Sequence, residues 1–304
     1  MNKKGLSFLV KKNLCRVPFA NKIITDRSIE LQKNKIKKIE SILNSENLKM
    51  VSPKDFDYIS AKEFSHCNIW GSGTSAAVST KNEKLMKDAF NIGIGFSYLL
   101  NINFHFYFIE NASEDQNDLV VRQKKGLNSF VDLNNCPVIL KNLSQEKNDV
   151  EYAINTYKNI AYFSKDLAIS HYLNNKKTFN YSTRLLLKKD DQYFRQACSS
   201  VITSIIFAKY LGFKKITLNG VDFSGGYFFD QKEYKHLSEF LPPYFSKDFV
   251  NIYNIEWRDE KKRHPTSNCL FSFIPLFKEQ LKLENVNLYS SVKESPLSNL
   301  LEIY

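Results

Sequence analysis

Residues 199–230, SSVITSIIFAKYLGFKKITLNGVDFSGGYFFD, constrain the fold more than any other stretch of the chain. Apolar side chains recur at Val201, Ile202, Ile205, Ile206, Ala208 and Leu211, a helical spacing that stops at Gly212, where a left-handed cap is expected. Ile216, Thr217, Leu218, Asn219, Gly220 and Val221 then form a short β-branched and apolar run of the kind buried inside a parallel sheet. The run ends in Asp222, Phe223, Ser224, Gly225, Gly226 and Tyr227. In open α/β sheets ligands bind just beyond the carboxyl ends of the strands, so a site is expected here.

The chain has 304 residues, enough for one large α/β domain or a domain with an appended segment. Its 43% hydrophobic and 25% charged content excludes a mainly disordered protein. The 24 Phe and 16 Tyr serve packing or pocket walls. A net charge of +11 suits a polyanionic partner such as nucleic acid, anionic lipid or phosphorylated glycolipid, although a Lys-, Asn-, Ile- and Phe-rich composition also follows from AT-rich coding. Cys15, Cys67, Cys136, Cys198 and Cys269 form no CxxC pair and the five histidines are dispersed, so neither a disulfide framework nor a metal site is expected. No apolar run approaches the roughly 20 residues of a membrane span, and the amino terminus lacks the features of a signal peptide. The expectation is a cytoplasmic protein, soluble or peripheral at the inner face of the inner membrane.

In chain order, residues 1–65 read as a basic, partly helical extension. Ile29, Leu31, Ile36, Ile39 and Leu43 give residues 27–43 an apolar stripe beside Lys33, Lys35, Lys37 and Lys38, a face suited to solvent or to anionic lipid. Residues 66–304 read as the main domain. A strand at 66–70 runs into Gly71, Ser72, Gly73, Thr74 and Ser75, whose glycines permit close backbone approach and whose N–H groups suit a phosphate. An aromatic strand at 104–109 closes on Glu110 and Asn111; His105 within it is read as packed. Further strands are expected at 138–140, 160–163 and 286–289. Residues 144–157 fit loop or helix, and 164–192 suggest a mobile segment over the site. Residues 231–268 read as a lid, 269–282 as a helix interrupted near Pro275, and Ser295 followed by Pro296 as a helix start.

Strands alternating with helices imply a parallel sheet, which gathers the polar strand ends at 71–75, 110–113, 222–227 and 290–295 along one edge. The fold expected is therefore α/β, a Rossmann-like parallel sheet flanked by helices. His264, in the expected lid, is either a surface histidine beside a basic run or a general base toward a sugar hydroxyl.

The order of these motifs resembles the bacterial sialyltransferase family typified by the Campylobacter lipooligosaccharide enzymes, which use a CMP-activated sugar. The resemblance runs through GSGTSA at 71–76, FIEN at 108–111, SSVITSIIFAKYLGFKKITLNGVDF at 199–223, Tyr227, Asp230, His264 and NLYSSVKESPLSNLLE at 287–302, and covers roughly residues 67–304. It implies that Gly71, Ser72, Gly73, Thr74, Ser75 and Asn111 line the nucleotide phosphate and sugar, with Asp222 beside them. It also implies that Ser199 and Ser200 face the donor, that Tyr227 donates to the leaving phosphate, that Ser295 lies near the cytidine and that His264 deprotonates the acceptor. No cofactor is implied, and no metal.

The chain departs from the family in three places. Only Tyr227 follows the short SGG loop, Arg195 sits about one place from an expected arginine, and Asn91 is near but not at an expected asparagine. The donor expected is a CMP-linked acidic 2-keto sugar of sialic acid or Kdo type, and the acceptor a bacterial surface glycan. A retaining variant of this chemistry needs a carboxylate nucleophile, for which Glu110 and Asp222 are the candidates. The alternatives are a non-catalytic nucleic-acid-binding protein, although no RNA-recognition, KH or helix-turn-helix signature is present, and an enzyme of the same fold acting on another nucleotide-linked substrate.

Overall fold

The computed structural model describes residues 18–111, 117–143, 147–169, 176–197, 199–223, 227–241 and 265–304. Its frame is a nine-stranded sheet in which every pairing is parallel. In chain order the elements are α1 (Pro18–Ser45), β1 (Met50–Val51), β2 (His66–Trp70), α2 (Ser75–Ser79), α3 (Glu83–Met86), β3 (Ala89–Ile94), β4 (Phe106–Glu110), α4 (Asn117–Phe130), β5 (Val138–Lys141), α5 (Lys147–Tyr157), β6 (Tyr162–Ser164), β7 (Asp166–Ala168), α6 (Lys176–Leu187), β8 (Phe194–Gln196), α7 (Ser200–Tyr210), β9 (Lys215–Asn219), α8 (Pro265–Lys282), β10 (Asn287–Ser290) and β11 (Glu302–Ile303). The strand order is β1-β6-β5-β4-β3-β2-β9-β10-β11, and β7 pairs with β8 in a separate small sheet. The chain leaves β2 toward β3 on one side and leaves β9 toward β10 on the other. The boundary between β2 and β9 is therefore the topological switch point, where such sheets open a crevice beyond their carboxyl ends.

Both faces of the sheet are covered, which is why its strands read as continuous apolar runs. Phe106 and Phe108 enter one core with Ile69, Ile92, α7 and α8, while Tyr107, Ile109 and Trp70 enter the other with α4 and α5. α7 is central rather than amphipathic: every residue from Val201 to Ala208 is buried. It ends as its sequence indicates. Gly212 takes φ +101°, its N–H donates to Lys209 O at 3.0 Å and Phe213 N–H donates to Ala208 O at 3.1 Å, the paired bonds of a Schellman cap. Much of the Phe content is used in packing here. Phe207 of α7 meets Phe106 at 4.4 Å and Phe108 at 5.7 Å between ring centroids, and Phe56 meets Phe106 at 4.9 Å. Each such pair contributes about 0.5–1.5 kcal/mol beyond its buried area.

Four sequence expectations are corrected. The boundary near residue 65 is no break in packing, since Met50–Val51 adds a strand beside β6 and Phe56 joins the central aromatic cluster. α1 is longer than 27–43; it buries Ile36, Ile39 and Leu43, exposes Lys33, Lys35, Lys37 and Lys38, and leaves Leu31 exposed too. The segment 164–192 is not a loose cover: it supplies β7 and α6 and buries Leu186 and Leu187. Gln32 of α1 completes β7 as a neighbouring strand would, its Nε2 donating to Ala168 O at 2.6 Å and its Oε1 accepting from Ala168 N–H at 2.7 Å.

The expected lid at 231–268 is the fourth. Its first part, the 3-10 helix Lys232–Phe240, buries Leu237 and Phe240 against the core that holds α4. Its last part is the start of α8, which runs on through Pro275. Burial of Leu270, Phe273, Ile274, Phe277 and Leu281 on one side of α8 outweighs the roughly 3 kcal/mol that an interior proline costs. The rest of the expected lid, 242–264, lies outside the described residues.

Candidate active site

The glycine-rich turn after β2 and the turn after β9 meet back to back at the switch point. Gly71 N–H donates to Asn219 O at 2.7 Å and Gly73 N–H to Gly220 O at 2.8 Å. Glycine is required on both sides of this approach. A Cβ on Gly71 would lie 2.5 Å from Gly220 O, and Gly220 itself has φ +64°. These bonds leave the Ser72 N–H without a backbone acceptor among the described residues. The Ser72 hydroxyl accepts from Phe96 N–H at 3.0 Å.

Asp222 clamps this turn to the loop after β10. Its carboxylate is buried and accepts from Ser75 N–H at 2.7 Å, Ser75 Oγ at 2.6 Å, Thr74 Oγ1 at 3.3 Å and Ser295 Oγ at 3.0 Å. Gly73 leaves room for it, since a Cβ there would lie 2.5 Å from Asp222 Oδ2. Burial pushes the carboxyl above its ordinary pKa, and the bonds from Ser75, Ser295 and Thr74 pull it back. A second tie joins Ser79 Oγ to Ser291 Oγ at 2.7 Å. With both oxygens engaged by the fold, Asp222 is a structural clamp and is withdrawn from the nucleophile role considered for it. Ser295 is fully buried, its hydroxyl given to Asp222.

Tyr227 is brought to the same turn. Gly73 and Tyr227 form an antiparallel bridge, and Phe228 N–H donates to Ser72 O at 3.1 Å. The Tyr227 ring stacks on Phe229 at 4.7 Å, and Asp230 accepts from Tyr227 N–H at 2.6 Å. Ser224, Gly225 and Gly226 lie outside the described residues, as does His264.

A second cluster forms where β4, β5 and β8 end and α7 begins. Ser200 Oγ donates to Glu110 Oε1 at 2.5 Å, and Asn111 N–H to Lys141 O at 2.9 Å. Asn111 Oδ1 and Ser199 Oγ are buried there with no hydrogen-bond partner among the described residues. Unsatisfied buried polar atoms are rare in folded proteins, and at a strand edge they mark where a ligand or water is received. Glu110 is the expected carboxylate that stays exposed. Gln196 Nε2 donates to Asn142 Oδ1 at 2.8 Å and Asn142 N–H to Asp166 Oδ2 at 2.7 Å, extending the polar surface across β5 to the small sheet.

Of the residues singled out from the sequence, the structure gathers 71–75 with 222, 227 and 295, and 110–111 with 199–200. Sequence reasoning missed Lys141, Asp166 and Gln196. The signal available was a lysine placed directly after the apolar run 138–140 at a carboxyl strand end, where ligands are expected. Arg195 and Asn91 do not reach the site. Arg195 pairs with Asp190 through Nε at 3.0 Å and Nη2 at 2.8 Å, in the wall of a cavity of about 90 Å³ on another flank of α7. Asn91 is buried; its Oδ1 accepts from Trp70 Nε1 at 2.9 Å and its Nδ2 donates to Asn103 O at 2.9 Å. His105 is packed as expected, stacked on Phe90 at 5.1 Å, with Nδ1 accepting from Asn91 N–H. Among the described residues no three His, Cys, Asp or Glu side chains converge as a metal site, and no helix is long and apolar enough to cross a membrane.

No protein-family model matches the chain, and a search of curated proteins finds no match. Similar solved structures include the α-2,3-sialyltransferase Cst-I of Campylobacter jejuni, at 16% identity and a TM-score of 0.45, covering 81% of this chain and 82% of that one. Campylobacter jejuni CstII with the substrate analogue CMP-3FNeuAc is 17% identical, with a TM-score of 0.42 over 78% of this chain and 85% of that one. CstII with a trisaccharide acceptor and CMP is 19% identical, with a TM-score of 0.44 and the same coverage.

Proposed function

We propose that this chain is a CMP-dependent, sialyltransferase-like glycosyltransferase that moves an acidic 2-keto sugar onto a bacterial surface glycan. One observation carries the reading. The clamped turn at 71–75 lies on one sheet edge with Asn111 Oδ1 and Ser199 Oγ, which are unpartnered among the described residues. β2 and β4 are two strands apart, so the two subsites are separated by about 10 Å, a span that a nucleoside monophosphate joined to one sugar fills.

In this reading the Ser72 N–H and the Tyr227 hydroxyl receive the phosphate, and Asn111, Ser199 and Ser200 hold the sugar. The acceptor oxygen bonds to the anomeric carbon as the carbon–oxygen bond to phosphate breaks; the acceptor proton passes to His264, and CMP departs with the bonding electrons. The sugar's own carboxylate favours an oxocarbenium-like path. The protein's task is to position the reactants and to stabilise the leaving phosphate through donors fixed in advance, with no metal required. The basic row on α1 suits contact with an anionic membrane surface carrying the acceptor. Whether the sugar is sialic acid or Kdo is decided by which CMP-sugar is turned over.

A nucleotide panel tests the reading cheaply. Unfolding temperature is expected to rise with CMP or CDP and to stay unchanged with purine nucleotides. Steeply salt-dependent binding of RNA or DNA, without a CMP effect, favours the nucleic-acid alternative. His264→Ala is expected to lower turnover by about 10²–10⁴-fold with CMP affinity unchanged. Equal losses in both, measured by steady-state kinetics and calorimetric titration, remove His264 as the base.

A further inference from the structure

Three charged side chains in the second cluster have no role in the reaction just described. Lys141 ends β5 with its side chain 1% exposed, and its Nζ donates to Thr203 Oγ1 of α7 at 3.2 Å. Glu110 Oε1, at the end of β4, lies 4.0 Å from the same ammonium and is aimed by the Ser200 hydroxyl. Asp166, the first residue of β7, also attracts the ammonium; its Oδ2 accepts from Asn142 N–H, and the Ser164 hydroxyl also steadies the carboxylate. The Phe108 ring centroid lies 5.9 Å from Nζ. Among the described residues, then, β4 and β7 present a carboxylate each to Lys141, and α7 presents a neutral hydroxyl.

A lysine this buried is rare unless paired, because an uncompensated ammonium is expensive to desolvate. Here one ammonium serves two carboxylates. Burial lowers the Lys141 pKa while Glu110 and Asp166 hold it up, and burial pushes Asp166 up to about 6 although Lys141 and Asn142 N–H hold it down. With Lys141 charged, one of the two carboxylate charges is cancelled; without it neither is. Without it, two carboxylates would face any anion seated between Asn111 and Ser199, and like charges a few ångströms apart in a partly buried site repel strongly.

We propose that Lys141 determines which donor this end of the cleft accepts: as the buried counter-ion of Glu110 and Asp166, it lets a site containing two carboxylates take a nucleotide sugar that carries a carboxylate of its own. The inference rests on the donor class proposed above. Lys141 is a positioning residue; it acts through Glu110 and Asp166 and touches no substrate.

Two measurements on Lys141→Met, Lys141→Arg and the double variant Lys141→Met/Glu110→Gln test it. The first needs no ligand. Asp166 binds its proton more tightly folded than unfolded, so its contribution to stability is full below its ordinary 3.8 and is lost as pH rises through about 6. Removing the ammonium takes away a charge that holds Asp166 down, so Asp166 rises further. The melting-temperature deficit of Lys141→Met is therefore expected to widen from pH 5 to pH 8, and to narrow in the double variant. A deficit independent of pH overturns the counter-ion role and leaves a packing role.

The second measurement is calorimetric titration with CMP and with CMP-sialic acid. Lys141→Met is expected to weaken the sugar nucleotide by about tenfold more than CMP, Lys141→Arg to hold both within about threefold, and the double variant to recover most of the difference. Equal losses for the two ligands overturn the inference while leaving the proposed function standing. A wild-type protein that binds neither ligand overturns the donor assignment and the inference that rests on it, and the unfolding series still decides whether Lys141 is a counter-ion.

Discussion

Asp222→Ala is expected to destabilise the protein by about 3–5 kcal/mol and to abolish CMP binding. The carboxylate is buried and accepts four hydrogen bonds, two from Ser75 and one each from Thr74 and Ser295. Alanine leaves all four donors facing a hole, and the desolvated Ser75 N–H and Ser295 hydroxyl have no water-exposed alternative. Breaking such a buried network is among the few mechanisms that reach this size, set against a total stability of about 5–15 kcal/mol for an ordinary protein. The functional loss is separate in origin. Asp222 is the link that holds the 71–75 turn against the loop after β10, so its removal frees the backbone expected to receive the phosphate. Urea unfolding reads the first effect and calorimetric titration with CMP the second. Asp222→Asn keeps the shape but turns one acceptor into a donor that faces Ser75 or Ser295, and a loss of about half that of alanine is expected.

The second large effect is expected at Gly71→Ala. The added Cβ lies 2.5 Å from Gly220 O and 3.2 Å from Gly220 C, so the obstacle is backbone at the end of a central strand and cannot turn aside. About 2–4 kcal/mol of stability and most of the nucleotide affinity are expected to be lost together. Gly212→Ala is the control. Gly212 has φ +101°, and its nearest neighbour would be Ala61 Cβ at 3.7 Å, so the change brings left-handed strain of about 1–2 kcal/mol without touching the strand edge. Stability falls in both variants, and CMP binding is expected to survive only in Gly212→Ala. Loss of CMP binding in both would mean that the turn responds to global stability and not to the Gly71–Gly220 approach.

The parts of the fold legible in the sequence are those fixed by short-range rules. The unit from Ser200 to Asn219 announces itself through helical spacing, a glycine that takes the left-handed cap, and a β-branched run. The polar strand ends could be grouped because parallel strands put all their carboxyl ends on one side. Long-range contacts carried the rest. Nothing near Gln32 in the sequence indicates that its side chain closes the edge of β7, and nothing near Leu186 indicates that α6 is packed. Asp222 reads as a ligand-facing carboxylate until its three partner residues, one of them 73 positions away, occupy both oxygens. Lys141 reads as the first residue of a loop, and becomes a buried counter-ion only when β4, β7 and α7 close around it.

The most direct test of the account is incubation of the purified protein with CMP-sialic acid, and in parallel with CMP-Kdo, while CMP release is followed by chromatography. The account predicts CMP release from one of the two, dependent on His264 and lost in Asp222→Ala. Neither turnover nor CMP binding with either donor would contradict it.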